Sequence, residues 1–167
     1  MDECVILNNS DNNDIIGNSI YSNEGVAFRV YIGSRDNRIF NNDIYDSGKM
    51  GIRFIDTSTG VFNDSDISFN KVIDSVEHGI ALTEITNLNI IWNIIKEHGS
   101  GAGAFYGISM GDIDTVLVDD NIISSSSATG VDIDFNTNVD DGQLGLNNTF
   151  SSINRGSAVY FNEVRFT

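Results

Sequence analysis

Three acidic side chains recur at one fixed spacing, and they are the residues of this sequence best placed for chemistry. Asp56, Glu84 and Asp112 stand 28 residues apart, each five positions after a glycine. If 28-residue segments stack with their strands side by side, equivalent positions lie about 4.8 Å apart. We therefore expect the three carboxylates to form a ladder on the surface of a stacked repeat.

A carboxylate ladder suits two kinds of chemistry. Neighbouring positions about 5 Å apart and alternate positions about 10 Å apart span the carboxyl separations of retaining and inverting glycosidases. One acid would stay protonated beside its neighbours while another acts as a base, which predicts catalytic roles for Asp56, Glu84 and Asp112. The same oxygens would suit Ca²⁺, most directly at Asp56 and Glu84. In a third interpretation the acids only bond to turn amides where strands end.

Three further residues are candidates for binding a substrate. Arg53 lies on the strand that leads to Asp56, where a guanidinium suits the carboxylate of an acidic sugar. His78 leads the strand of the next repeat, and its imidazole also suits general acid–base catalysis. Tyr106 is one of several tyrosines that would stack on sugar rings at the margins of this face. The alternatives are a packing role for Tyr106 and a simple exposed turn for His78.

An internal repeat positions these residues. A glycine followed at once by Ile or Val recurs in steps of 26, 28, 28 and 23 residues, at Gly25, Gly51, Gly79, Gly107 and Gly130. A degenerate sixth copy begins at Gly156, and an Asn-centred segment precedes each of the six. These segments recur in steps of 24, 28, 23, 28 and 27 residues, at Asn18, Asn42, Asn70, Asn93, Asn121 and Asn148. The short segments alternate apolar and polar residues, which predicts strands and not helices. A single coil cannot bury its apolar side chains, so the coils must stack.

The repeat predicts an all-β fold, a right-handed parallel β-helix (solenoid) of about six coils that forms one domain over residues 1–167. The recurrent Asn would adopt the left-handed conformation at a bend and bond to the Asn of the next coil. The outward positions of one face predict a shallow groove with small residues in its middle. They are Arg53, Ala81, Ser109 and Asp132. The absence of caps favours a fragment of a longer protein or a homo-oligomer that covers its ends, unless short irregular caps lie in residues 1–12 and 136–167.

Composition excludes several classes of partner. With 24 acidic and 9 basic residues the chain has a net charge of −15, which repels nucleic acid and anionic membranes. No apolar stretch approaches the roughly 18 residues of a membrane span, so membrane insertion is not expected. The first residues, Met1-Asp2-Glu3, lack the basic start of a signal peptide. The single cysteine, Cys4, cannot form an internal disulfide.

The pattern Asn-x-Ile, then a Gly/Ser/Asn turn, then Gly-Ile-x-hydrophobic resembles the repeats of the pectate-lyase-like superfamily over residues 12–162. The resemblance implies a domain that binds, and in the enzymes also processes, an extended polysaccharide. If the domain is an enzyme, the resemblance implies a glycoside hydrolase or a polysaccharide lyase, and it implies an extracellular, cell-surface or virion-surface location. The Tyr-Gly-Phe-Asp-Pro-His signature of alginate epimerases is absent, since the chain has no Pro. The alternative is a structural or adhesion scaffold without an active site.

Overall fold

A computed structural model shows a solenoid of parallel β-strands. It describes residues 3–31, 33–55, 64–126, 131–135, 139–150, 159–161 and 164–165. Within these ranges every assigned element is a strand, and no helix has the length and hydropathy needed to cross a membrane. The predicted all-β fold is therefore confirmed.

Each coil supplies strand segments to three faces, and all the pairings are parallel. The first face contains β1 (Val5–Asn8), β4 (Phe28–Tyr31), β7 (Ile52–Ile55), the first parts of β10 (Ile80–Ile91) and β12 (Tyr106–Asp119), β14 (Val131–Phe135) and β17 (Val159–Phe161). The second face contains β2 (Asp14–Ile16), β5 (Arg38–Phe40), β8 (Ser65–Ser68), the last parts of β10 and β12, β15 (Val139–Leu144) and β18 (Val164–Arg165). The third face contains β3 (Ser19–Asn23), β6 (Asp43–Ser47), β9 (Lys71–Ile73), β11 (Ile94–Lys96), β13 (Ile122–Ser124) and β16 (Thr149–Phe150). The described strands thus follow about six coils, as the repeat predicts.

The corner between the first and second faces varies in length from coil to coil. Between Thr83 and Leu88 the connection is the four residues 84–87, and β10 continues through the bend. The matching connection between Ile55 and Ser65 is the nine residues 56–64. The steps from Gly51 to Gly79 and from Gly79 to Gly107 are both 28 residues, but they divide these residues differently between their connections. The coil with the shorter corner has the longer connection from the third face back to the first.

The core is a column of inward-facing side chains from all three faces. On the first face the inward side chains are 0–2% exposed, in two columns formed by Phe28, Ile52, Ile80, Ile108 and Ile133 and by Val30, Phe54, Leu82, Met110 and Phe135. Stacking at one-coil spacing buries side chains that a single coil would leave exposed.

The glycine of the Gly-Ile pattern is required by close packing at the start of the first face. A Cβ atom added at Gly79 would lie 2.4 Å from Cγ2 of Ile95 and 2.7 Å from the carbonyl oxygen of Gly107. Gly51 and Gly107 meet third-face side chains at the same 2.4 Å. Any other residue would force the third face away from the first.

The predicted asparagine ladder is confirmed. Asn18, Asn42, Asn70, Asn93, Asn121 and Asn148 each bond to the next, with amide nitrogen to oxygen distances of 3.0–3.1 Å. The expectation that these residues adopt the left-handed conformation is wrong. Positive φ falls on the preceding residue, as at Asn41 (54°), Phe69 (57°) and Trp92 (55°). This leaves the ladder Asn in ordinary backbone geometry, where its side chain can point inward and bridge coils.

The glycine pattern misplaces the register at both ends of the first face. Phe28 pairs with Ile52, so Ala27 and not Gly25 matches Gly51. Ile133 pairs with Ile108, so Asp132 and not Gly130 matches Gly107. Each error is two residues, which keeps the inward and outward sets unchanged because strand side chains alternate with period two.

Candidate functional site

The first face presents a column of outward side chains that changes character along the solenoid. In register these are Arg29, Arg53, Ala81, Ser109 and Asp134. With coils about 4.8 Å apart, the column from Arg53 to Asp134 is about 14 Å long. The sequence predicts that this column is a groove, and small residues do occupy its middle, at Ala81 and Ser109. The residue after Ser109 is Asp134 and not Asp132, because of the two-residue register shift, and Tyr160 follows on the next coil.

Arg53 is the guanidinium of this column that forms no ion pair with a described carboxylate, although Glu77 and Glu3 attract it from a distance. Arg29 forms an ion pair with Glu3, and its guanidinium lies 4.3 Å from the centre of the Tyr31 ring. Arg53 is half-buried, and burial, followed by the positive charge of Arg29, lowers its pKa. A cation in this situation favours an incoming anion, because the anion would offset the cost of the partly desolvated charge.

The predicted pair His78 and Tyr106 lies at the edge of the groove where the first-face strands begin. The backbone N–H of Tyr106 donates to Nδ1 of His78 at 3.0 Å, and the two rings stack with centroids 5.3 Å apart at an interplanar angle of 4°. The ring of Phe105 meets His78 edge-on, at 5.4 Å and 84°. His78 is thus packed into the edge and is not a freely exposed turn residue.

The environment of His78 sets its protonation state. Burial, and to a smaller extent the charge of Arg53, lowers the pKa of His78 to about 4. The neutral ring accepts the Tyr106 N–H at Nδ1, so its proton is on Nε2. His78 is therefore a hydrogen-bond donor at neutral pH, and its one basic lone pair is already occupied. This favours the predicted binding role over the general-base role.

Asp134 is a buried carboxylate in this column, next to Ser109 and before Tyr160. The residue is 1% exposed, and neither carboxylate oxygen has a hydrogen-bond partner among the described residues. Burial raises the pKa of Asp134 to about 6. Sequence analysis missed this residue as part of the site because counting from Gly130 put Asp132 in its place.

The structure places two of the three predicted catalytic acids side by side. Glu84 and Asp112 occupy matching positions on β10 and β12, between register pairs that join Thr83 to Gly111 and Ile85 to Ile113. Both are exposed and have positive φ, 60° and 52°. They lie at the end of the first face opposite to His78, and six residues of strand span about 20 Å. Asp56, the third predicted acid and a proposed metal ligand, lies outside the described residues.

The described part of the chain contains no group of three His, Cys, Asp or Glu side chains placed to hold a metal ion. Calcium binding by Asp56 and Glu84 therefore stays a prediction. His78 and Tyr106 are in contact, and Arg53 lies on the neighbouring coil, in register with Ala81, which is three residues after His78. Glu84 and Asp112 form a separate pair at the other edge of the face.

Comparison with known proteins places the fold in a family. The sequence profile of the right-handed β-helix region matches residues 3–110. The chain belongs to this right-handed β-helix family. No curated protein sequence matches it.

Solved β-helix structures extend the likeness to the whole chain. The periplasmic alginate epimerase AlgG superposes with a TM-score of 0.62 at 14% identity, over 98% of this chain and 42% of AlgG. A point mutant of AlgG gives a TM-score of 0.57 at 17% identity, over 99% of this chain and 36% of that one. The A-module of the mannuronan C-5 epimerase AlgE4 of Azotobacter vinelandii gives 0.61 at 14% identity, over 99% and 54%. The chain thus spans about a third to a half of the β-helix proteins it matches, and at these identities they share its fold.

Proposed function

We propose that the first face binds an acidic polysaccharide laid along the solenoid axis. The observation that carries the proposal is Arg53, a half-buried guanidinium that forms no ion pair with a described carboxylate. The next two outward residues of the column are small, Ala81 and Ser109. An anionic group on the ligand would supply the partner that the described part of the chain does not give this cation.

The shape of the groove supports a polymeric ligand over a small anion. Its outward column runs parallel to the solenoid axis for about 14 Å from Arg53 to Asp134, further than a single sugar ring extends. The β-helix structures that this chain resembles include epimerases of alginate and mannuronan, which are polysaccharides. A glycan is therefore the polymer we expect.

Arg53, His78 and Tyr106 each have a role in this proposal. Arg53 pairs with a sugar carboxylate, and Nε2–H of His78 donates a hydrogen bond to the same sugar. Tyr106 holds the His78 ring in position through its backbone N–H and by stacking. Asp134 is 1% exposed, so it takes no direct part in binding while it is buried.

Processing of the bound polysaccharide, by hydrolysis or elimination, is a further proposal. Because Nδ1 of His78 is occupied, the proton transfers would fall to carboxylates. Asp134 is suited by a pKa of about 6, but its buried carboxylate would have to become accessible when the glycan binds. Glu84 and Asp112 are suited by their adjacency, which would require the glycan to extend across the face to the other edge.

The test is calorimetric titration with oligogalacturonate and oligoalginate at low ionic strength. We expect Arg53→Gln to weaken binding by about tenfold or more, and Arg53→Lys to restore part of it. Arg38→Gln is the matched control, because Arg38 already pairs with Asp14 on the second face. Equal affinities of wild type and Arg53→Gln would refute the site.

Catalysis is tested separately by reducing-end release and by formation of unsaturated sugar products. Loss of product in Asp134→Asn or in Glu84→Gln would assign the acid. Binding without any product would leave the first face as a binding surface. Absence of both would favour the scaffold interpretation, in which the acidic residues only solubilise a repeating structure.

A further inference from the structure

The second face carries a cleft that takes no part in the groove described above. Its volume is about 360 Å³, and it opens where β8, β10 and β12 leave the corner between the first and second faces. Its outward side chains stand in register, Asp66 beside Asn89, Asn89 beside Leu117 and Leu117 beside Gln143. The cleft therefore crosses four successive coils.

The chemistry of the lining is amphipathic and acidic. Leu117 places an apolar side chain between the amides of Asn89 and Gln143, each one coil away at about 4.8 Å. Asp66 adds a carboxylate at one end. No Lys, Arg or His is among the described residues that line the cleft. A sugar ring has the complementary pattern, with an apolar face of C–H groups and a rim of hydroxyls.

One polar atom on the outward side of the lining lacks a hydrogen-bond partner among the described residues. Oδ1 of Asp66 is without a partner, while its Oδ2 accepts a hydrogen bond from the Ser68 hydroxyl at 2.8 Å. Ser65 also lacks a partner, but it is in register with the core residue Leu88 and faces inward. Polar groups in folded proteins are nearly always paired, so the unpaired Asp66 oxygen in this cleft indicates a ligand that pairs with it.

We propose that this cleft binds a neutral saccharide. Its hydroxyls would donate to Asp66 and bond to Asn89 and Gln143, and its apolar face would pack on Leu117. The carboxylate would repel acidic sugars, and the nearby cation offsets this only in part. Arg38, one coil before Asp66, is held by Asp14 through hydrogen bonds of 3.0 and 2.8 Å. The two faces would therefore select saccharides of different charge.

Trp92 offers a direct reporter for this cleft. It is the chain's single tryptophan and is 48% exposed. It follows Asn89 by three residues at the end of the same strand, about 10 Å away along the chain. Its ring contacts that of Phe69, with centroids 4.7 Å apart. A sugar in the cleft would change the surroundings of this indole, whereas a ligand confined to the first face would not reach it.

The experiment is a fluorescence titration of Trp92 with neutral unbranched hexasaccharides of glucose, mannose and galactose. We expect a saturable change with at least one of them, weakened about tenfold in Asn89→Ala and in Gln143→Ala. Both side chains are exposed, so their removal leaves the core intact. Lys96→Ala, an exposed residue of the third face, is the control and should titrate like wild type.

Three results would overturn the proposal. These are the absence of a saturable change with every hexasaccharide, a titration that persists unchanged in both variants, and binding of only cationic chitosan oligosaccharides. The outcome is independent of the acidic-polysaccharide site, because that site is measured by calorimetry with Arg53 variants. Either site can fail while the other is retained.

Discussion

Acidification should destabilise the protein through His78, and the structure gives the sign and size of the effect. The pKa of His78 is lowered to about 4 in the folded chain, from 6.5 when unfolded. The unfolded state therefore binds the proton first, so this stability is present above pH 6.5 and is lost as pH falls towards 4. A shift of this size corresponds to at most about 3 kcal/mol, and solvent around the partly buried ring reduces it to about 2 kcal/mol.

The assay compares urea unfolding of wild type and His78→Gln across this range. Glutamine keeps an acceptor for the Tyr106 N–H but does not titrate, so the difference in unfolding free energy isolates the histidine. We expect wild type to lose about 2 kcal/mol more than the variant between about pH 7 and pH 4. An NMR titration assigned with the same variant should show His78 protonating near pH 4. Protonation near pH 6.5, or a free-energy difference that is constant with pH, would refute the donor role assigned to His78.

Three further changes test other parts of the structure. Asn70→Ala removes the hydrogen-bond partners of the Asn42 N–H and the Ile39 carbonyl, which Asn70 provides at 3.0 and 2.8 Å. Urea unfolding should show a loss of about 2–5 kcal/mol in unfolding free energy, against less than about 1 kcal/mol for Asn18→Ala at the exposed end of the ladder. Equal losses in the two variants would contradict the ladder's role. Gly79→Ala should lower the unfolding free energy by about 1–3 kcal/mol through its contact with the third face, and an unchanged midpoint would contradict the close packing. The pKa of Asp134 is raised to about 6, so the stability it contributes is present below pH 3.8 and is lost as pH rises through 6. Over this range the unfolding free energy of Asp134→Asn should increase relative to that of wild type by up to about 3 kcal/mol. A difference that does not change with pH would contradict the burial of Asp134.

The repeat in the sequence determines the architecture because it has a direct physical cause at two positions. The Asn recurs because its amide bridges coils, and Gly51, Gly79 and Gly107 recur because the third face packs against their backbone. Both requirements act within a coil and its neighbour, so they can be recognised without knowing the rest of the fold. Stacking then follows from the need to bury the apolar side chains.

The details of the site depend on information that the repeat does not contain. The glycine marks a close contact and does not fix the strand register. Counting from Gly130 therefore placed Asp132 beside Ser109, whereas the residue in that position is Asp134, two residues later. Nδ1 of His78 accepts a hydrogen bond from the backbone N–H of Tyr106, which lies one full coil later in the chain. The sequence near His78 therefore does not reveal that this nitrogen is occupied. The cleft on the second face also escaped prediction, because Asn89, Leu117 and Gln143 share no motif and are aligned only by loops of different lengths.

The most direct test of the central proposal is a crystal structure of the protein with an acidic oligosaccharide bound. We predict that the glycan lies along the first face, with a sugar carboxylate paired to the Arg53 guanidinium and Nε2 of His78 within hydrogen-bond distance of the same sugar. An acidic oligosaccharide bound at another face, with Arg53 free of any sugar carboxylate, would contradict the proposal.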